Sequence, residues 1–524
     1  MTTSSDGICF DVVVIGDGAS AVALLASLEA VFYETTKRRV RIAVIGCAGN
    51  FGRGGSYPSD AKCLIMNTPA CDLSIFGNYP NHFVSWLEAT HIGGDGRSFV
   101  QRSIFGDYLV ETGRTLLTRG EHCLIEGWAT RIEDMGSHIA VTGRDGLTVR
   151  ARIVVLATGN PRAGLVPGVP WGGVYFETPY PTIHLRNSIR PDADVLILGS
   201  SLSAIDTAIA LHESGHQGML YLASRSGRLP AVRAPRTDCQ PGHTWCEALL
   251  LQARSADSGL GLRDILRFAR RDLRAAGLNW KDLFLPSEPD TLESFRARRA
   301  EAEGEIRWLT VINLLQGELD PIWAMLRPNQ LSLLISRFVP DLLRNLAAIP
   351  MANAHRLEAM LSAGTLAVSG GLQEIAVRDR RYYAVLASGV TITADCLVNA
   401  TGIPRRLRGE LYESLYKQGL AKELRGGGLD ACPLTGRVRT ADGCLNDRLY
   451  ALGHPTCGVH PIINNVAAIV ARSRELTAFI FANRSRLFFK SMPSWQRLLA
   501  RSPRRRGRYR DHRCRNNPRP ILYL

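Results

Sequence analysis

Phe10-Asp11-Val12-Val13-Val14-Ile15-Gly16-Asp17-Gly18-Ala19-Ser20-Ala21 is the stretch on which the fold turns. Val12 to Ile15 form an unbroken β-branched run, the pattern of a parallel strand covered on both faces. Gly16 permits a sharp turn, and Gly18 lets the backbone approach a pyrophosphate. Ala21 is the third small residue, keeping the next helix close to the sheet. That helix runs on through Val22 to Leu28, and its first N–H groups face the phosphates. Gly16, Gly18, Ser20 and Ala21 are therefore candidate cofactor-binding residues.

One such turn is a weak signal, because ordinary tight turns use the same residues. Here the theme recurs. Asp194-Val195-Leu196-Ile197-Leu198-Gly199-Ser200-Ser201-Leu202-Ser203-Ala204 repeats it, with Ile205 to Leu211 as the helix. Gly199 makes the turn, and Ser201 replaces the second glycine and supplies a hydroxyl for phosphate. Each turn is later followed by a meander, an apolar strand and the tripeptide Ala-Thr-Gly. The first strand and tripeptide are Val154 to Gly159, containing Thr158 and Gly159; the second are Cys396 to Gly402, containing Thr401 and Gly402. This internal repeat predicts an α/β chain with two Rossmann-like dinucleotide-binding domains. The meander strands are expected at Leu124–Ile132, His138–Thr142 and Leu147–Ile153, and again at Gly371–Val377, Tyr382–Ala387 and Thr391–Thr393.

Between the two turns, Arg39 to Gly46 reads as the second parallel strand. An acidic residue usually ends this strand and binds ribose hydroxyls. Gly46-Cys47-Ala48-Gly49 holds no acid, which implies a different ribose contact or weaker cofactor binding. Phe51-Gly52-Arg53-Gly54-Gly55-Ser56-Tyr57 is a glycine-rich loop with one cation, Arg53, suited to lie along a diphosphate. Asn67-Thr68-Pro69, after the apolar Leu64-Ile65-Met66, either places polar groups near a flavin or simply caps a turn. Phe83 to Leu87 reads as an amphipathic helix.

These segments together resemble the bacterial FAD-NAD(P)-binding proteins, relatives of the flavin-dependent N-hydroxylating monooxygenases. The motifs that carry the resemblance are the Gly16–Ala21 turn, Gly52–Tyr57, Leu64–Ala70 and Phe83–Leu87, and Gly46 departs from it. The resemblance implies the two-domain flavoprotein type, with FAD in the first domain and NADPH in the second. It adds Gly54, Tyr57 and Asn67 to the FAD set and associates Ser203-Ala204 with NADPH. It also implies a return to the first domain through Gly453, the loop to Gly458 and His460, and a helix over Ile462–Leu476. Asn464 and Asn465 would then lie in a first turn near the flavin, where a helix dipole favours negative charge on the reduced ring.

The strand ending Ala223-Ser224-Arg225 carries a hydroxyl and a guanidinium where an NAD-binding domain would carry an acid, which favours NADP. The expected divisions are 1–190 for the first part of the FAD domain and 191–240 for the first part of the NADPH domain. A helical insertion over 241–363 follows, then 364–403 and 404–484 as the returns to the NADPH and FAD domains. Helices are expected at Leu262–Ala276, Thr291–Glu303, Leu309–Leu315, Leu331–Leu346 and His355–Ala363. This insertion offers a substrate cap, with Trp323, His355 and Arg356 as candidate lining residues or, equally, packing residues.

The twelve cysteines include no C-x-x-C pair, the pattern of reduced thiols in a cytoplasmic protein. No metal site, transmembrane run or secretory leader is expected. Residues 485–524 read as a disordered basic tail, whose last 24 residues contribute +8 of the +15 net charge. It is either a solvated tail or one that binds nucleic acid or an acidic surface. No catalytic side chain is identifiable, because the cofactors would carry the chemistry. Three functions stay open: an NADPH-using monooxygenase acting on a small molecule such as an amine, with O2 as co-substrate; an NADPH-dependent flavin reductase or dehydrogenase; or a degenerate flavin-fold binding protein.

Overall fold

The computed structural model describes residues 9–35, 40–161, 164–166, 168–170, 172–234, 261–275, 289–304, 326, 330, 333, 347–460 and 462–481. Strand β1 (Cys9–Ile15) leads into α1 (Ala19–Thr35) and then β2 (Ile42–Gly46). Helices α2 (His82–Ala89) and α3 (Arg102–Gly120) precede β3 (Cys123–Glu126). Strands β4 (Ala129–Asp134), β5 (Ile139–Gly143) and β6 (Thr148–Leu156) follow. The first meander therefore differs from expectation. Cys123–Glu126 is a parallel strand beside β2, and β6 runs unbroken from meander to core. Its burial alternates from Thr148 to Arg152 and becomes continuous at Val154, so one strand reads as two periodicities.

The chain then crosses over. β7 (Val174–Phe176), α4 (Thr182–Ser188), β8 (Val195–Leu198), α5 (Leu202–Glu213) and β9 (Leu220–Ala223) open the second sheet. Because β7 pairs with that sheet, it begins before the expected 190/191 division. Helices α6 (Leu262–Ala275), α7 (Leu292–Glu301) and α8 (Met351–Ser362) lie at three of the positions expected for the insertion. Thr291 and Ser294 cap α7 reciprocally. The helices expected at Leu309–Leu315 and Leu331–Leu346, together with Trp323 and the basic tail, lie outside the described residues. β10 (Leu366–Ser369) joins the second sheet, and β11 (Leu372–Arg378), β12 (Arg381–Leu386) and β13 (Thr391–Ala394) form the second meander. β14 (Cys396–Asn399) completes the second sheet, and α9 (Glu410–Lys417) follows. β15 (Arg437–Arg439), β16 (Leu445–Ala451) and α10 (Val466–Phe481) return to the first.

The two sheets have the same plan. The first runs β15-β16-β6-β1-β2-β3 and the second β10-β9-β8-β14-β7. In each, the strand before the glycine turn lies between its successor and a strand from far along the chain. That is the topological switch point, where the crevice at the strands' carboxyl ends takes ligands in open α/β sheets. β1 is sealed into its sheet, with Val12 to Val14 at 1% exposure or less.

Candidate functional site

At the first switch point Gly16 has φ +126°, and a Cβ there would lie 2.1 Å from Ala157 O. The turn is thus pressed against the first Ala-Thr-Gly, and only glycine allows it. Gly16 N–H donates to Ile45 O at 2.9 Å, and Ala157 N–H to Ile15 O at 2.8 Å. The second glycine loop lies on the first. A Cβ on Gly54 would stand 2.8 Å from Gly18 Cα, and Gly52 N–H donates to Asp17 O at 2.7 Å. Ala21 is fully buried under the sheet and Ser20 nearly so. The returning chain reaches the same place: a Cβ on Gly453, at φ +72°, would lie 2.5 Å from Ser20 Oγ. A glycine turn, a helix start and a third backbone segment meet at one crevice, which fits a pyrophosphate lying against backbone.

Arg53, expected to lie along a diphosphate, is partnered within the protein. Its guanidinium packs on Gly106 of α3, pairs with Asp107 and donates to Ser103 O at 3.2 Å and Tyr57 O at 3.4 Å. It ties the loop to α3. Tyr57 stacks edge-on to Phe105 at 5.0 Å, and burial pushes its hydroxyl up to about 12. Thr158 Oγ1 hydrogen-bonds Tyr412 OH of α9 at 2.5 Å, and Gly159 follows at φ +69°. Asn67 is half-buried, just after Met66, whose N–H donates to Val100 O at 2.8 Å.

The absent acid at the end of β2 has a steric counterpart. A Cβ on Gly46 would fall 2.5 Å from Asp17 Cβ, so the Asp17 side chain lies across the strand end. Asp17 Oδ2 accepts from Cys47 N–H at 2.9 Å, and Glu126 Oε2 accepts from Ala48 N–H at 2.6 Å. Burial holds the Asp17 carboxyl above its ordinary value; the Cys47 N–H opposes this and the Glu126 charge adds to it.

The second switch point repeats the turn. Gly199 has φ +121°, and its Cβ would lie 2.5 Å from Ala400 O, the alanine of the second Ala-Thr-Gly. Ser201 is the N-cap of α5, makes no side-chain capping bond and is exposed. Ser203 is half-buried in the first turn of α5, and Ala204 is fully buried. Ser224 is engaged within the turn. Its Oγ meets Ser200 Oγ at 2.9 Å and accepts from Gly227 N–H at 2.9 Å, so it braces the turn. Arg225 is exposed beside it. Thr401 is folded onto Asn399 Oδ1, at 3.1 Å from its N–H and 2.7 Å from its hydroxyl, and Gly402 has φ +100°.

A buried charge cluster joins the two halves. Arg102, at the start of α3, reaches Asp206 of α5 at 2.5 Å, and Tyr180 OH donates to the same carboxylate at 2.5 Å. Asp206 is only 2% exposed. Burial works against the charge on Arg102, but Asp206 and Tyr180 outweigh it and hold the guanidinium above its ordinary value. Arg102 Nε also donates to Ile65 O at 3.1 Å, in the segment leading to Asn67. Asp60 accepts from Thr182 N–H at 2.7 Å and Ile183 N–H at 3.2 Å at the start of α4. Arg356 is engaged by Cys63 O at 3.1 Å and Glu213 at 3.3 Å, and His355 is exposed. The sequence reading missed this cluster. A lone acid inside the apolar run Leu202 to Leu211 was its signal.

On the return, Asn465 Oδ1 accepts from Ala468 N–H at 2.7 Å and caps α10, which starts four residues later than expected. Asn464 Oδ1 lies 3.2 Å from His454 Nδ1, and His454 Nε2 is 2.9 Å from Pro404 O. A carbonyl only accepts, so Nε2 carries the proton, and the neutral ring accepts at Nδ1 when the Asn464 amide is turned to present its N–H. Burial lowers the His454 pKa. A Cβ on Gly458 would lie 2.3 Å from Gly427 O, a contact between loops. Among the described residues no cluster of metal-ligating side chains occurs.

Residues 13–161 match the family model described as FAD-NAD(P)-binding. The ornithine N-hydroxylase of Kutzneria sp. 744, solved with reduced FAD, NADP+ and L-ornithine, aligns at TM-score 0.57 and 17% identity, over 91% of this chain and 100% of that one. This is the fold of the N-hydroxylating flavin monooxygenases. The L-lysine 6-monooxygenase of Pseudomonas syringae aligns at TM-score 0.54 and 14% identity, and the ornithine hydroxylase of Pseudomonas aeruginosa at 0.53 and 15%. Both alignments again cover 91% of this chain and 100% of the other. No curated protein sequence matches the chain. The resemblance drawn from the four N-terminal motifs thus agrees with the family model, and the two-domain dinucleotide-binding fold agrees with the structures.

Proposed function

We propose that this chain is an FAD-dependent, NADPH-using oxidoreductase, a monooxygenase that hydroxylates the nitrogen of a small amine. The observation that carries this reading is the pair of glycine turns at two switch points, each closed against the alanine of an Ala-Thr-Gly. Held there, FAD and NADPH would supply the two electrons for O2 activation, one oxygen atom going to the substrate nitrogen and the other leaving as water. The first cradle would hold FAD through Gly16, Gly18, the start of α1 and Gly453. The second would hold NADPH through Gly199, Ser201 and Ser203, with Arg225 at the 2′-phosphate. Asn464 and Asn465 would stand with the α10 N-terminus toward the flavin ring, with Asn67 as a further candidate contact. The proposed division gives the inner sheet, 174–399, to NADPH and the flanking segments to FAD. A cytoplasmic setting suits the described cysteines, all of them free thiols. Among the described residues no helix is long and apolar enough to cross a membrane.

The test is the absorption spectrum of the purified protein, first as isolated and then with NADPH under nitrogen, followed by turnover with O2 and a panel of small amines. A flavin spectrum bleached by NADPH and a hydroxylated product matching the NADPH consumed are expected. Hydrogen peroxide as the sole oxygen product, with every amine, would instead establish a reductase. A colourless protein that takes up no FAD would overturn both.

A further inference from the structure

We propose that Asp17 binds the adenosine ribose hydroxyls of FAD in the first cradle, doing the work of the acid missing from the end of β2. The inference rests on FAD being the ligand of that cradle. The strand that normally supplies the carboxylate ends in Gly46, and the space its side chain would fill is already taken. A Cβ on Gly46 would lie 2.5 Å from Asp17 Cβ and 3.2 Å from Asp17 Cγ. Asp17 arrives there from between the two glycines of the turn. Its carboxylate therefore occupies the β2 end although its backbone belongs to the β1 turn. Glycine at 46 leaves room for a side chain at 17, and what is particular to an acid there is its Oδ2 bond to Cys47 N–H at 2.9 Å.

The carboxylate is held and still has capacity. Oδ2 accepts from Cys47 N–H, and the backbone O of Asp17 accepts from Gly52 N–H, which fixes the residue from two sides. Oδ1 lies 3.7 Å from where a Cβ on Gly54 would stand, beside the glycine loop lying on the turn. A carboxylate offers about four lone-pair directions, so one N–H leaves room for the two hydroxyls of a ribose. Glu126, at the end of β3, holds the Ala48 N–H and so keeps the 47–50 turn in place under Asp17.

The experiment titrates full-length apoprotein, freed of flavin, with FAD and with the FAD analogue carrying 2′-deoxyadenosine, following flavin fluorescence. The unsubstituted protein is expected to bind FAD about 10–100-fold more tightly than the analogue, the range for a charge-assisted hydrogen bond. Asp17→Ala should lose that discrimination by weakening FAD and leaving the analogue unchanged. Asp17→Asn, which keeps an acceptor for Cys47 N–H, guards against a folding defect and should lie between. The double variant Asp17→Gly with Gly46→Glu should restore discrimination by returning the acid to the strand end. Undiminished discrimination in Asp17→Ala and Asp17→Asn would overturn the assignment while leaving FAD in the cradle. Failure of the unsubstituted protein to bind any flavin would overturn the functional reading itself.

Discussion

The two cradles are built on the same turn and differ in what surrounds it. Gly16 and Gly199 both take a positive φ and both press on an alanine carbonyl. In the first cradle the position two residues after the turn glycine is Gly18, a second glycine loop lies on it, and an acid crosses the strand end. In the second the corresponding position is the exposed Ser201, the buried Ser200 and the half-buried Ser224 together brace the turn, and an exposed arginine follows. The first is lined by backbone and a carboxylate, which suits a pyrophosphate beside ribose hydroxyls. The second presents hydroxyls and a cation, which suits a terminal phosphate. A duplicated frame has thus been specialised at a handful of positions without altering strand order.

The largest effects should come from filling the turns. Gly16→Val places branched carbons against Ala157 O, and the protein is expected to purify without flavin. Gly199→Val should purify with flavin that NADPH no longer reduces. Absorbance spectra before and after NADPH separate the two, and identical behaviour of both variants would break the comparison. Next comes the cluster between the halves. Asp206→Ala strands the Arg102 guanidinium, and removing one partner of a buried pair costs about 3–5 kcal/mol. Urea unfolding should show a loss of that order, whereas Asp107→Ala, on an exposed carboxylate paired with Arg53, should lose under about 1 kcal/mol. Arg225→Ala should weaken NADPH by about tenfold and leave NADH unchanged, an effect of about 1.4 kcal/mol read from steady-state KM values. Equal loss for both nucleotides would remove the distinction drawn between the cradles. The smallest effect concerns pH. Burial lowers the folded pKa of His454 below the ordinary 6.5, so the unfolded chain binds its proton first. Stability from the neutral ring is full above that value and falls as pH drops below it. His454→Gln should flatten the slope of unfolding free energy in this window.

Much of the frame was legible because glycine turns and apolar strands are local signals. Val12–Ile15 and Val195–Leu198 announce buried strands by β-branched or aliphatic runs alone. β3 was harder, because Cys123–Glu126 is a half-exposed edge strand whose parallel partner lies about 80 residues away. The α3 helix went unread although Phe105, Tyr108, Leu109, Thr112 and Leu116 mark a buried face at helical spacing. The site was less legible than the frame for a physical reason. A side chain's chemistry can be read from its type, but its direction depends on contacts distant in sequence. Arg53 has the right charge for a diphosphate and is bound to α3. Ser224 has the right hydroxyl for a phosphate and braces its own turn. Asp17 reaches the place that residue 46 left open, which only the packing of two strand ends could reveal.

The pairing of β16 with β6 sets an order of events during synthesis. The inner sheet uses only residues 174–399 and has all its strands once Asn399 has left the ribosome. The outer sheet must wait for Leu445–Ala451, and the contact of Gly453 with Ser20 comes later still. Long-range pairings of this kind form slowly, because the loop between them must close first. The inner sheet can therefore close as an island inside an unfinished host, and the first cradle, which needs Gly453, is completed last.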